Sequence, residues 1–197
     1  MSQGTFPVLH PLSGSTTVVG VIGWPIEHSL SPAMHNAAFG ALGLDWCYVP
    51  LPVQPARIAE AARGILALGL RGVNVTVPHK QAMLSLVDDL TPEARAIGAV
   101  NTVLVEGQRL RGHNTDARGF LRAVREAGFA PERRPALVLG AGGAARAVVY
   151  ALASVGAPVM ICNRNVARAQ QLADDMRAHF PGAELRGGPL DAAWLAQ

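Results

Sequence analysis

Lysine is nearly absent from this 197-residue chain: of its 17 basic residues sixteen are arginine, and Lys80 stands alone. Cysteine is scarce as well. Cys47 and Cys162 are too few for a disulfide framework and are not spaced as metal ligands, which excludes a cysteine-built zinc site and fits a reducing compartment. Charged residues are only 16% of the chain and no basic run is interleaved with aromatics, so nucleic acid is not an expected partner. No apolar run reaches the roughly 18 residues of a membrane span. The opening MSQGTFPVLHPLSGSTT has neither the charged nor the apolar region of an export signal. The expectation is a soluble, unexported, cytoplasmic protein without a membrane partner. What the chain has in quantity is apolar residues, 50% of the total, enough to bury a sizeable core.

The shortage of lysine singles out Lys80, because arginine cannot replace lysine where the group must give up a proton or stay compact. A lone lysine retained by chance is the competing reading, and its neighbourhood has to decide.

Apolar runs of strand length alternate with amphipathic segments of helix length, the pattern of β-α units and a mainly parallel sheet. The reading places strands at 17–22, 46–51, 72–77, 99–106 and 109–113, and helices at 32–43, 54–69, near 79–86 and at 115–128. Thr91, followed by Pro92 and Glu93, is a helix start. The polar, proline-bearing stretch 129–135 reads as a linker, giving a first domain of residues 1–130 and a second of 131–197. In the second, strands at 136–140 and 158–163 alternate with helices at 144–155 and 166–180. Only 63 residues run from Pro135 to the end, whereas a doubly wound dinucleotide domain takes about six strands. This half-domain is expected to be cut short.

Gly140, Gly142 and Ala145 fit G-x-G-x-x-G/A between a strand and a helix. Glycines there let backbone N–H groups approach a pyrophosphate, which the helix N-terminus favours. A plain glycine-rich turn would carry the same letters. About 20 residues on, an NAD site wants an acid for the ribose 2′-hydroxyl, but this chain offers Asn163, Arg164 and Asn165, then Arg168. Arg164 suits a 2′-phosphate bidentately, with Arg168 one turn on, so the expected cofactor is NADP.

Three polar clusters lie at element ends in the first domain. In HSLSP, Ser31 reads as an N-cap with Pro32 at N1, and Ser29 adds a second hydroxyl; this is either a good cap or a small carboxylate site. In GVNVTVPHK, the period of two places Asn74 and Thr76 on one face and Val73, Val75 and Val77 on the other, with Lys80 following the turn at Pro78. The wet face of an edge strand would give the same pattern. In GHNTDARG, Thr115 is a candidate cap and Asp116 sits in the first turn, where an acid also serves the helix dipole.

Taken together, HSLSP with MHN behind it, NVTVPHK, AVNT, GHNTDARG, GAGGAARA and NRN resemble the ordered motif set of the shikimate dehydrogenases, from about Val18 to Arg168. The resemblance implies an α/β fold: a substrate domain followed by a Rossmann-like NADP domain, incomplete in this chain. It implies an oxidoreductase of aromatic amino-acid and chorismate biosynthesis that interconverts 3-dehydroshikimate and shikimate with NADPH or NADP, as a monomer or homodimer. By resemblance, Ser29 and Ser31 hold the substrate carboxylate, and Asn74, Thr76, Asn101 and Asp116 contact ring hydroxyls. Lys80 and Asp116 are then the catalytic pair. Lys80 either gives the proton or orients the substrate while water or Asp116 moves it. Gly140, Ala141, Gly142, Gly143, Ala144, Asn163, Arg164 and Arg168 hold the cofactor, and no metal is implied. A quinate/shikimate dehydrogenase shares these motifs. So does a shikimate-binding module without turnover, since family members continue into a longer nucleotide domain and a returning helix that brings a glutamine, whereas Gln197 here is merely the last residue.

Overall fold

The computed structural model of the chain describes residues 11–191 and 194. In order run β1 (Thr17–Gly23), α1 (Ser31–Ala41), β2 (Trp46–Pro52), α2 (Ile58–Ala67), β3 (Gly72–Val75), β4 (Asp89–Leu90) and α3 (Pro92–Ile97). They are followed by β5 (Thr102–Glu106), β6 (Arg109–His113), α4 (Asp116–Glu126), β7 (Ala136–Leu139), α5 (Gly143–Ser154), β8 (Val159–Cys162), α6 (Val166–His179) and β9 (Leu185–Gly188). No helix among the described residues is long and apolar enough to cross a membrane.

The chain forms two compact units, one within Met1–Asp89 and Thr102–Gly112, the other within Leu90–Asn101 and His113–Gln197. The units therefore part elsewhere than at the irregular stretch 129–135. The reason is α4: Ala117, with Phe120 and Leu121 at helical spacing, shares a core with Ile97, Ala99, Ala147 and Ala151. That apolar stripe commits α4 to the second unit.

In the first unit the sheet order is β2-β1-β3-β5-β6-β4. β1 is parallel to both β2 and β3, and β5 is antiparallel to β3. Val19 pairs with Tyr48, and Val21 with Asn74. Pleating sends Val21 and Tyr48 to one face, where they pack with Ile26 and Phe39, the latter from α1. β3 stops at Val75, two residues earlier than the alternation suggests. The Thr76 N–H still donates to Ile22 O, but the His79 N–H then closes a turn on Thr76 O, leaving Val77 60% exposed. The helix expected from Gln54 begins at Ile58, because Pro55–Arg57 form a 3-10 turn. The strand expected from Ala99 begins only at Thr102, since Ala99 and Val100 are buried and Asn101 turns its side chain to Thr115 and Asp116.

In the second unit β7, β8 and β9 form a parallel sheet in that order, as a βαβ chain requires. Val138, Val149, Ile161, Leu172 and Met176 lie in its core. β9 has no counterpart in the sequence reading, because LRGG offers one apolar side chain. Its Gly187 is needed for contact: a Cβ there would lie 2.4 Å from the Ala169 backbone, where α6 rests on the strand.

One partly buried ion pair ties this unit together. Arg146 Nη2 bonds Asp175 Oδ2 at 2.7 Å, and its Nε donates to Ile97 O at 2.5 Å at the end of α3. Gly98 follows at φ +69, and a Cβ there would sit 2.5 Å from Arg146 Nη2. Arg146→Met strands a carboxylate and a carbonyl, and is expected to cost about 2–3 kcal/mol in urea unfolding. A loss below about 0.5 kcal/mol, the level of an exposed pair, would contradict this account of the unit.

Candidate active site

In the first unit, the segment before α1 differs from a simple serine cap. Leu30 occupies the N-cap in an α-like conformation, and the helix begins at Ser31 with no side-chain cap. It is the Ser29 hydroxyl that accepts from the Ser31 N–H, at 3.3 Å. The helix starts one residue earlier than a Ser31 cap would give, and Ser29, just before the N-cap, takes one N–H of its first turn. No acid stands in the first turn of α1, so the positive helix end is left for an anion.

Behind this turn, α1 is splinted to edge strand β2. Asn36 Nδ2 donates to Tyr48 O and Asn36 Oδ1 accepts from the Tyr48 N–H, both at 2.8 Å. The Tyr48 hydroxyl donates to Asn74 Oδ1 at 2.7 Å, and Asn74 Nδ2 donates to Thr102 Oγ1 at 3.1 Å. His35, Tyr48, Asn74 and Thr102 line a cavity of about 430 Å³ whose other walls include Val19, Phe39 and Leu104. Ser29, Ser31, Thr76 and Lys80 do not line it. Lys80 is half-buried in the turn after Pro78. Its neighbour His79 is buried, with Nε2 hydrogen-bonded to Val53 O at 2.8 Å, which anchors that turn on the end of β2.

Burial pushes the Tyr48 phenol up to about 12, partly offset by the Ser31 side chain. Tyr150 is raised too, by burial first and then by the Glu93 charge. For Tyr48 the linkage has a definite sign. Its contribution to stability is complete below pH 10, where both states are protonated. It falls as pH rises towards about 12, because the unfolded chain ionises first. In a Tyr150→Phe chain, where Tyr48 is the one phenol, the native phenolate absorbance is expected to develop towards pH 12, with the urea-unfolded chain titrating near 10. Native titration at 10 would contradict the buried, donating hydroxyl.

In the second unit, Asn101 is 8% exposed and fully engaged with the start of α4. Its Nδ2 donates to Thr115 Oγ1 at 2.9 Å and to Asp116 Oδ1 at 2.7 Å, while its Oδ1 accepts from the Thr115 N–H at 3.0 Å. Thr115 is thus not the side-chain cap of α4. Its hydroxyl serves Asn101, and the Asp116 N–H is taken by Asn114 Oδ1. Asn114 is itself buried and donates to Ala99 O. The outcome is a half-buried carboxylate held in one orientation by a neutral amide.

The glycine-rich loop between β7 and α5 forms a tight strand-to-helix turn. Gly140 stands at φ +115, a backbone region closed to side chains, and its N–H donates to Cys162 O at 2.7 Å. Gly142 is the N-cap of α5 with no side-chain cap bond and no acid in the first turn, and a Cβ on Gly142 would meet nothing within 4 Å. Ala141 is buried, whereas Gly142 and Ala144 are exposed and Gly143 half-buried. Uncapped amides facing open space fit a pyrophosphate. At the end of β8, Asn163 Nδ2 donates to Asn165 O, and Asn165 Oδ1 accepts from the Arg168 N–H as the α6 cap. Arg164 is exposed and paired with no acid among the described residues, which fits a 2′-phosphate.

Tyr48 escaped the sequence reading, and Asn36 and Asn114 lay within its motifs without a role being given to them. An aromatic in a strand reads as core, and an Asn inside a helix gives no sign of the strand it splints. Asn114 lay within a motif already noted, and its spacing two before the helix start is a usable capping signal.

Comparison with known proteins sets these features in a family. Residues 21–103 match the shikimate dehydrogenase substrate binding domain, and residues 125–185 match shikimate / quinate 5-dehydrogenase. The shikimate dehydrogenase (NADP(+)) of Geobacter metallireducens is 54% identical over 182 residues, covering 91% of this chain and 64% of the relative. A crystal structure of a shikimate dehydrogenase in complex with NADP+ superposes with a TM-score of 0.86 at 39% identity, over 94% of this chain and 66% of that one. The Thermus thermophilus enzyme in complex with NADP(H) and shikimate gives a TM-score of 0.77 at 41% identity, over 89% of this chain and 63% of that one. The chain therefore spans just under two thirds of the length of these relatives.

Proposed function

The chain belongs to the shikimate dehydrogenase family, and from that membership we propose that it interconverts 3-dehydroshikimate and shikimate with NADPH and NADP, a step towards chorismate and the aromatic amino acids. The observation that carries this reading lies within the second unit. Ala117, next to Asp116, and Ala147, one turn into α5, share one core cluster. The carboxylate held by Asn101 and the glycine loop thus begin two helices packed against each other.

In this reading residues up to 130 supply the substrate groups and 131–197 the nucleotide groups, although Asn101 and Asp116 pack with the latter. Ser29 and Ser31, with the open end of α1, hold the substrate carboxylate. Asn74, Thr76 and Asn101 orient ring hydroxyls, and Asp116 takes one as acceptor. Lys80 donates the proton to the ketone oxygen during reduction and accepts it during oxidation. The amides of Gly140 to Ala144 hold the pyrophosphate, and Asn163, Arg164 and Arg168 hold the adenosine end with its 2′-phosphate. NADP, when bound, supplies the hydride chemistry. A reducing, cytoplasmic setting agrees with the free thiols of Cys47 and Cys162.

The test is calorimetric titration of shikimate and of quinate into the chain, since the second matched family description includes quinate. Shikimate is expected to bind more tightly, and Ser29→Ala to weaken it about tenfold through loss of a hydrogen bond to a charged group. Preference for quinate would favour the quinate enzyme. No binding of either would contradict the reading.

A further inference from the structure

Tyr48 is held on every side more firmly than packing requires. Its backbone N–H and C=O are both taken by the Asn36 side chain at 2.8 Å. Its ring stacks on His35, with centroids 4.2 Å apart at 16°, and His35 is itself fixed by an Nδ1–H donated to Ser31 O at 2.9 Å. The residue is 3% exposed among Val21 and Ile26, an environment in which phenylalanine would pack equally well. A hydroxyl there carries a desolvation cost unless it is bonded, and its single proton goes to Asn74 Oδ1 at 2.7 Å. The Asn74 carboxamide is thus held at both ends, its carbonyl by the Tyr48 hydroxyl and one N–H by Thr102 Oγ1, which fixes the plane of the amide.

We propose that Tyr48 is a positioning residue for substrate: its buried hydroxyl fixes the Asn74 amide so that this side chain presents one orientation to a ring hydroxyl of the bound polyol acid. The inference rests on the proposed function and adds a residue outside the motifs that led to it. Tyr48 itself touches no substrate. Its effect passes through Asn74.

A double-mutant cycle on shikimate binding to the 197-residue chain, read by calorimetry, tests this. Tyr48→Phe is expected to weaken binding about tenfold and Asn74→Ala at least as much. The double variant should be no more than about twofold weaker than Asn74→Ala, because the two act as one unit. A merely structural role would instead multiply the two losses, and that result overturns the proposal. So does a Tyr48→Phe chain that binds within about twofold of wild type. Independently of any variant's folding, shikimate should shift the Asn74 side-chain amide signals in the NMR spectrum of the wild-type chain, and an unresponsive amide overturns the proposal. Failure of the wild-type chain to bind shikimate at all would be a distinct result, overturning the proposed function and this inference with it.

Discussion

Lys80→Ala is expected to lower kcat for shikimate oxidation by about 10²- to 10⁴-fold, the range for loss of a positioned proton-transfer group. KM should change by less than about threefold. The split arises because a proton donor acts chiefly in the transition state, whereas a carboxylate-holding group such as Ser29 acts on bound substrate as well. Lys80→Arg is expected to be nearly as damaging, since a guanidinium does not give up its proton and does not keep the compact shape of an ammonium. The His79 anchor on Val53 O keeps the turn in place in both variants, so the loss should not come with unfolding. A Lys80→Ala enzyme with near-normal kcat would remove lysine from the proton transfer and leave Asp116 or water as its carrier.

The second large effect concerns the cofactor. Arg164→Ala is expected to raise KM for NADP by about 10- to 100-fold, equivalent to a charge-assisted pair of roughly 1.5–3 kcal/mol, and to change KM for NAD by less than about twofold. The selectivity follows from what the end of β8 contains. Asn163 Nδ2 donates to Asn165 O, Asn165 caps α6, Arg164 stands exposed, and no carboxylate occupies the position that would hold a ribose 2′-hydroxyl. Steady-state kinetics with both dinucleotides check this. Equal losses for NADP and NAD would show that Arg164 serves the shared part of the cofactor.

Much of this architecture was legible because it rests on local rules. The alternation of buried valine runs with amphipathic helices gave the β-α order. Thr91 before Pro92 gave a helix start whose side chain does accept the Ala94 N–H. The glycine loop gave the turn at Gly140. What was not legible depends on partners distant in sequence. Thr115 looks like a cap by position, but Asn101, fourteen residues earlier, claims its hydroxyl. β9 is a strand because β8 pairs with it and because Gly187 lets α6 approach, neither of which four residues can announce. α4 reads as the last helix of the first domain, yet its Ala117, Phe120 and Leu121 pack with Ala147 and Ala151 of α5. Tyr48 gave no signal at all, because its role lies in the oxygen atom that separates it from phenylalanine.

The most direct test of the central claim is NADPH formation by this chain supplied with shikimate and NADP. The account predicts NADPH formation that is faster than NADH formation from NAD and is lost in Lys80→Ala. Absence of any NADPH from shikimate would contradict it.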